Sequence, residues 1–510
     1  MPKAKKTDVL VIGGGINGAG IARDLAGRGL SVILCEKGDL ASATSSASTK
    51  LIHGGLRYLE QHEFKLVRES LHEREVLLRA APHIIWPMTF VLPHHRKLRP
   101  RWLIRCGLFL YDVLGGRKSL AHSRGIQLSG TLMGNPLKPA FRHGFSYADC
   151  WVEDTRLVIL AAVDAAEKGA EILTHTECVG LSPNAKEGGW SVVLQDHLTG
   201  KKGKIEAHLV VNAAGPWVAK TLDLVGSAVG KYRTRWVKGS HIIVPRIYQG
   251  DHAYILQNDD KRIVFIIPYE KKYSLIGTTD VDYKDSLDEV RITLEEVEYL
   301  CTAVNQYLRH PIKPESVQWT YSGVRPLVDD GEGNISAVTR DYVLDLEHFK
   351  EAPILSVYGG KLTTFRRLSE QVGDKIVAEL GRGGAAWTAK APLPGGDIAA
   401  HFQTFLKTLK REYSWLPESL ALRLARAYGS RLREMLRGMK RVSDMGEHFG
   451  EGVYAFEIDY LVRKEWALTL EDVLWRRSKL GLHLKDDTQK KIKRYLKKAV
   501  GGQASVPSEE

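Results

Sequence analysis

Residues 9–36 constrain this chain more than any other stretch. The apolar run Val9–Ile12 leads at once into Gly13, Gly15 and Gly18, spaced G-x-G-x-x-G, and then into a segment where Ile21, Ala22 and Leu25 are apolar and Arg23 and Asp24 polar. A second apolar run, 31–35, ends in Glu36, 18 positions after Gly18. A strand that turns tightly into a helix needs a first glycine for the turn, a second to admit a pyrophosphate against backbone, and a third to let helix and sheet pack. The free N–H groups and dipole of the helix N-terminus then hold the phosphates. A carboxylate closing the next strand accepts hydrogen bonds from ribose hydroxyls and would repel the 2′-phosphate of NADP. NAD and FAD both remain open at this point.

At 510 residues the chain exceeds one ordinary domain and should form two or three. Its 44% hydrophobic and 26% charged residues describe a globular protein. Cys35, Cys106, Cys150, Cys178 and Cys301 are scattered without a C-x-x-C pair, so a reducing compartment is expected, with no disulfide and no metal site. No signal peptide is expected before the first strand, and no apolar stretch reaches the roughly 18 residues of a membrane span.

The net charge of +13 points to a solvated surface, anionic lipid or an anionic substrate. No nucleic-acid-binding motif is present, so no nucleic-acid partner is expected. Residues 99–118 interleave arginines with Trp102, Leu103, Ile104, Leu108, Phe109, Leu110 and Tyr111. Such a segment suits either a core helix or a helix lying in a bilayer interface. Lys490, Lys491, Lys493, Arg494, Lys497 and Lys498 crowd another helical segment, as a solvated face or a contact for anionic head groups.

A small-residue loop, 41–50, follows the first βαβ unit, and periodicity then predicts helices over 63–80 and 154–168. Residues 237–280, with 318–325, alternate as the strands of one antiparallel sheet. Residues 355–364 read as strand, Gly-Gly and a helix start, with the helix running from Leu362 to about Glu379. Beyond the glycine-rich 381–396 region the pattern is helical to about Val500, with strong segments at 401–410, 420–428 and 470–480, and a polar, disordered tail at 501–510.

The blocks VIGGGINGAGIARDLAGRGLSV, TSSASTKLIHGGLRYLE, KGSH, IGTTD, YSGVRPL and GGKLTT stand in this order, and EWALTLEDVLWRR lies in the C-terminal helical region. Together they resemble the aerobic, FAD-dependent glycerol-3-phosphate dehydrogenase family over essentially the whole chain. The resemblance implies an α/β fold: a Rossmann-type FAD-binding domain, an antiparallel-sheet substrate domain and an all-α C-terminal cap. The corresponding boundaries are 1–85, 145–230 and 326–385 for the FAD domain, 86–144 and 231–325 for the substrate domain, and 386–500 for the cap. It also implies oxidation of sn-glycerol 3-phosphate to dihydroxyacetone phosphate, electrons passing to ubiquinone, a homodimer, and a peripheral position on an anionic membrane at the cytoplasmic face of the cell membrane.

FAD contacts are expected at Gly13, Gly14, Gly15, Asn17, Gly18, Glu36, Thr44, Ser45, Ser48, Ala214, Gly215, Gly360, Lys361, Leu362 and Thr363. A phosphate monoester near charge −2 calls for converging cations, and Arg57, Arg325, Arg340 and Lys361 match the family's anion-binding positions, with Tyr58 and Thr278 as polar lining. Removing hydride from C2 also requires a base for the C2 hydroxyl, and His53 and His241 are the candidates beside Arg325. Each histidine could equally be structural or contact the flavin. The nearest rival is a glycerol-3-phosphate oxidase that makes hydrogen peroxide, but the extra internal segment of such oxidases is not seen. An amino-acid oxidase or a binding module without turnover fits the cationic set less well.

Overall fold

In a computed structural model the described residues are 5–116, 119–184, 188–226, 232, 234–260, 262–328, 341–398 and 401–503. The first strand, Lys5–Ile12, pairs in parallel with Val32–Cys35 on one side and Lys202–Asn212 on the other. The full sheet order places Val343–Phe349, Ala352–Tyr358, Lys202–Asn212, Lys5–Ile12, Val32–Cys35 and Glu171–Leu173 side by side, with an antiparallel hairpin added beside Lys202–Asn212. Val9, Leu10 and Val11 are wholly buried, as expected for parallel strands covered on both faces. The helix Ile16–Gly27 packs against helices Asp154–Glu167 and Phe365–Leu380. Gly20 makes that approach possible, since a Cβ there would lie 2.6 Å from Ser369 Oγ.

A ten-stranded sheet forms the second layer. Thr234–Pro245 pairs antiparallel with Tyr273–Gly277 and with Trp319–Val328, and the sheet continues through Ile263–Tyr269 and Ala253–Gln257 to Ile85–His94 and His143–Val152. One pairing, Ala253–Gln257 with Ile85–His94, is parallel, a departure from the all-antiparallel expectation. The expected boundary at 144/145 also falls inside strand His143–Val152, because residues 145–152 complete their ladder with Ile85–His94.

The third region, beyond residue 386, packs around its own core of Leu409, Leu424, Leu432, Ile458 and Ile492. Helices Phe402–Glu412, Glu418–Tyr428, Ala455–Glu465 and Asp486–Gln503 dominate it, with a small hairpin between His448–Gly450 and Val453–Tyr454. Residues 470–480 are not the regular helix that their periodicity suggests. They form a wide turn, Asp472–Arg477, followed by a tight one, Leu480–Leu482. The last helix runs on to Gln503, and residues 504–510 of the expected tail lie outside the described residues.

Candidate functional site

At the carboxyl end of Lys5–Ile12 the chain turns through Gly13, whose φ of +110° suits glycine and whose Cβ would sit 2.6 Å from the carbonyl oxygen of Ala213. A Cβ at Gly18 would run into the carbonyl oxygen of Gly13. The glycines therefore serve close backbone packing as well as phosphate access. Glu36 turns back on this loop: its carboxylate accepts the N–H of Gly14 at 2.7 Å and that of Gly38 at 2.8 Å. Burial raises its pKa, while those two N–H groups act in the opposite direction.

A cleft of about 590 Å³ opens here, lined by Gly13, Gly15, Glu36, Thr44, Ser45, Ala214 and Gly215. It adjoins a second cavity of about 330 Å³, and the two share Thr44, Ser45, Ala47 and Gly323 in their walls. Ser45 Oγ accepts the N–H of Ile16 at the start of the helix. Asn17 donates to the Gly359 carbonyl at 3.1 Å, and its buried Oδ1 has no hydrogen-bond partner among the described residues. That orphaned acceptor, the helix start at Gly15 with no side-chain cap of its own and the connected cavities fit a dinucleotide whose adenosine meets Glu36 and whose flavin reaches the second cavity.

The second cavity gathers residues from four separated blocks: His53, Tyr58, Thr278, Asp280, Arg325 and Lys361. Arg325 donates to Asp280 Oδ1 at 2.5 Å and to Thr278 Oγ1 at 3.2 Å. Gly239 leaves room for the guanidinium; a Cβ there would come 2.5 Å from Arg325 Nη2. Lys361 Nζ lies 4.4 Å from the centre of the Tyr58 ring, a cation–π contact. The cavity wall at 53–55 is held from behind by a buried chain in which Gly54 N–H donates to Tyr111 Oη, Tyr111 donates to Asp149, and Arg74 donates to Asp149.

The loop 44–50 bridges the two sheets. Thr44 Oγ1 donates to the Val324 carbonyl at 2.7 Å, and Tyr321 Oη donates to the Ser48 carbonyl at 2.9 Å. Lys50 and Asp154 form a fully buried ion pair at 2.8 Å. Ser48, expected at the cofactor, donates its hydroxyl to Asp154 instead, so its side chain holds the loop, although the residue borders the second cavity.

The two candidate histidines occupy different positions. His53 lines the cavity, and its Nδ1 accepts the Gly55 N–H at 3.2 Å. His241 is buried beneath the cavity and reaches it through Thr49, whose Oγ1 lies 3.0 Å from His241 Nε2. Burial, with Lys50 and Arg325 nearby, holds the His241 pKa well below 6.5.

Gly360, Lys361, Leu362 and Thr363, expected at the cofactor, border the second cavity as a turn: the helix begins at Phe365, three residues later than its periodicity suggests. Of Arg57 only the backbone is described, and Arg340 lies outside the described residues. Sequence reasoning missed Thr49 and Asp280. Both stand inside quoted blocks, beside the lysine of STK and as the acid of GTTD, but neither residue type announces its role without its partner.

Fold and site together define a two-sheet flavin-type oxidoreductase, with a dinucleotide cleft leading into a cavity over the second sheet lined by Arg325, Lys361, Asp280 and Asp341. Residues 8–366 match the family "FAD dependent oxidoreductase", and residues 386–499 match the "C-terminal domain of alpha-glycerophosphate oxidase". The chain is 52% identical to D-erythritol 1-phosphate dehydrogenase of Brucella abortus, covering 95% of this chain and 96% of the relative. It is 49% identical to aerobic glycerol-3-phosphate dehydrogenase of Escherichia coli, covering 96% and 97%. Among solved structures, that of the glycerol-3-phosphate dehydrogenase from Bacillus halodurans complexed with FAD superposes with a TM-score of 0.74 at 26% identity, covering 97% of this chain and 95% of that one. The chain belongs to the FAD-dependent glycerol-3-phosphate dehydrogenase family, and its cofactor is FAD.

Proposed function

We propose that this enzyme oxidises sn-glycerol 3-phosphate to dihydroxyacetone phosphate and passes the electrons to ubiquinone. The observation that carries the reading is the convergence of Arg325 and Lys361 with Tyr58 and Thr278 in one cavity joined to the FAD cleft. Two fixed cations suit a phosphate dianion, and the hydroxyls of Tyr58 and Thr278 suit a short polyol. FAD, when bound, supplies the acceptor for the hydride released from C2. The protein's own work is to orient the phosphate, exclude bulk water and receive the hydroxyl proton.

The Brucella relative supports a second substrate, a four-carbon polyol phosphate. Anaerobic flavin reduction by glycerol 3-phosphate and by D-erythritol 1-phosphate, each followed by reoxidation with a soluble quinone or with oxygen, tests both choices together. Faster reduction by the three-carbon substrate and faster reoxidation by quinone are expected. Preference for the four-carbon substrate, or for oxygen with release of peroxide, overturns the corresponding half.

The helix Arg101–Leu114 supports a peripheral membrane position. Only Leu108 and Tyr111 of this helix are buried, while Trp102 is 67% exposed, Phe109 52% and Val113 47%. Arg99, Arg101 and Arg105 rim this apolar face, an arrangement suited to the interface of an anionic bilayer. Among the described residues no helix is long and apolar enough to cross a membrane. Tyr111 also anchors the cavity wall at Gly54, so docking through this face would bring the cavity to the lipid phase where ubiquinone resides. The six C-terminal cations are all exposed on a helix whose Ile492 and Leu496 are buried in the cap core. Sedimentation velocity tests the expected homodimer, which a single species of one-chain mass would overturn.

A further inference from the structure

We propose that Glu296, behind the substrate cavity, is a positioning residue that sets the Arg325 guanidinium for the substrate phosphate. The inference rests on the phosphate-binding role proposed for Arg325 above.

The two groups that Arg325 meets, Thr278 and Asp280, stand where the sheet pairing is interrupted. Thr234–Pro245 pairs with Tyr273–Gly277 as far as His241 opposite Gly277, and the next pair is Lys238 opposite Val281. Residues 278–280 fall between, so three residues face two, Gly239 and Ser240, without a ladder register. An extra residue of this kind bends the strand and re-aims its side chains. Backbone freed from its ladder keeps one conformation only where other bonds fix it.

Glu296 supplies those bonds. It stands in the first turn of Leu294–Asn305, capped by Thr293, whose Oγ1 accepts the Glu296 N–H. One carboxylate oxygen accepts the hydroxyls of Ser240 and Thr279, both at 2.9 Å. The other accepts the Thr293 N–H and the Lys238 ammonium, also at 2.9 Å each. Successive residues of an extended chain point to opposite sides. Lys238 and Ser240 therefore turn toward Glu296 while Gly239, between them, borders the cavity beside Arg325. Likewise Thr279 turns toward Glu296 while Thr278 and Asp280 line the cavity. The Ser240 N–H also donates to Thr279 Oγ1 at 2.9 Å and ties the two segments directly. One carboxylate thus fixes the residues on either side of Gly239 and the residue between the two partners of Arg325.

The node is buried: Ser240 and Thr279 are 0% and 1% exposed, Lys238 5% and Glu296 7%. Burial acts to raise the Glu296 pKa, yet the bonds from Lys238, Thr293, Thr279 and Ser240 hold it below the ordinary carboxylate value. An ionised carboxylate offers acceptors only, so Ser240 gives its one hydrogen to Glu296. The hydrogen between Ser240 and Ser322, whose oxygens are 2.8 Å apart, then comes from Ser322. With four donors on two oxygens the hydrogen bonds have one arrangement, and the guanidinium inherits it through Thr278 and Asp280.

The test compares Glu296→Gln, Thr279→Val and Thr293→Ala, the first two also in combination with Arg325→Ala. Tm, FAD content, and the half-saturating concentration and limiting rate of anaerobic flavin reduction by glycerol 3-phosphate are measured for each. Glu296→Gln turns one acceptor oxygen into an NH2 group, so two of the four donors lose their acceptor. Half-saturation should rise about tenfold, with the limiting rate within about threefold of wild type. Thr279→Val keeps the Lys238 ion pair and should raise half-saturation about fivefold. Thr293→Ala removes the helix cap but leaves the strand contacts of Glu296, so it should lower Tm with half-saturation within about twofold of wild type. FAD content should stay that of wild type in all three. Once Arg325 is replaced, Glu296→Gln or Thr279→Val should add less than about twofold, because the group through which they act is gone. Half-saturation within about twofold of wild type in Glu296→Gln or Thr279→Val overturns the positioning role. Full multiplication of effects in either double variant, or an equal rise in Thr293→Ala, also overturns it; Thr279→Val decides alone if Glu296→Gln does not fold. An unchanged half-saturation in Arg325→Ala overturns the phosphate role of Arg325, and positioning toward it falls too. If glycerol 3-phosphate fails to reduce even the wild-type flavin, the substrate reading falls, and the same comparison with D-erythritol 1-phosphate decides the positioning role.

Discussion

Arg325 shows what a single side chain contributes in this site. It sits against Gly239 with one nitrogen on Asp280 and another on Thr278, so its plane is set before substrate arrives. A pre-oriented guanidinium binds phosphate without first losing side-chain freedom. Arg325→Ala should therefore raise the KM for glycerol 3-phosphate about tenfold or more, with FAD content unchanged; steady-state kinetics beside a flavin absorbance count would show it. A KM within twofold of wild type would remove Arg325 from the phosphate site. The cationic role of Arg325 was legible because phosphate chemistry demands such groups and SGVRPL frames one. The contact of Thr49 with His241 was not, since it forms only when a strand 192 positions later brings the imidazole to 3.0 Å.

Two elements behave differently from their periodicity. Residues 101–114 read as an amphipathic helix and form one, but no pattern of residues could say whether its apolar face is covered. Leu108 and Tyr111 take the inward places and leave Trp102, Phe109 and Val113 outside. The double substitution Trp102→Ser and Phe109→Ser should lower binding to anionic vesicles about tenfold while leaving flavin reduction by soluble substrate unchanged, as measured by sedimentation and stopped flow. Equal sedimentation of variant and wild type would exclude this face as the membrane contact.

Residues 470–480 depart from a helix because Arg476 and Arg477 both turn toward Asp39, four residues past Cys35 in the nucleotide layer. A regular helix would set successive residues about 100° apart, so two neighbours could not share one carboxylate so readily. Arg477 and Asp39 are fully buried, and Arg477→Met leaves Arg476 as the remaining partner of Asp39. Breaking such a pair costs on the order of 3–5 kcal/mol when nothing compensates, so a drop in Tm of several degrees is expected. Asp39 follows Glu36 in the same loop, and FAD should also dissociate faster from the variant. Flavin fluorescence after dilution would measure this, and an unchanged release rate would confine the role of the pair to stability.

At the scale of the whole molecule, the cap and the nucleotide layer meet at a charged junction that adds His175 and Asp472 to these arginines. The Asp472 carboxylate, 4.0 Å from His175 Nε2, raises the His175 pKa above its usual 6.5, and the same proximity, with Arg476, helps hold Asp472 well below the carboxylate range. A raised histidine stabilises the fold fully below pH 6.5 and loses that contribution as pH rises through its folded value. The depressed Asp472 contributes above the ordinary carboxylate pKa and loses its part only in strong acid. Thermal unfolding should thus show a fall in Tm on going upward from pH 6.5 that His175→Gln flattens; an identical slope in the variant would refute the assignment. The order of the nucleotide unit, its glycines and Glu36 were determined by the sequence alone, because a strand, a tight turn and a helix are specified by residues close together in the chain. The six blocks likewise carried the family and the chemistry. Only the tertiary structure decided which histidine lies behind Thr49, where the apolar face of Arg101–Leu114 points, and how Arg476 and Arg477 close on Asp39. Each of those depends on side chains that are remote in sequence and meet only after two sheets and a helical cap have packed, and burial and pairing, unlike periodicity, are properties of that packing.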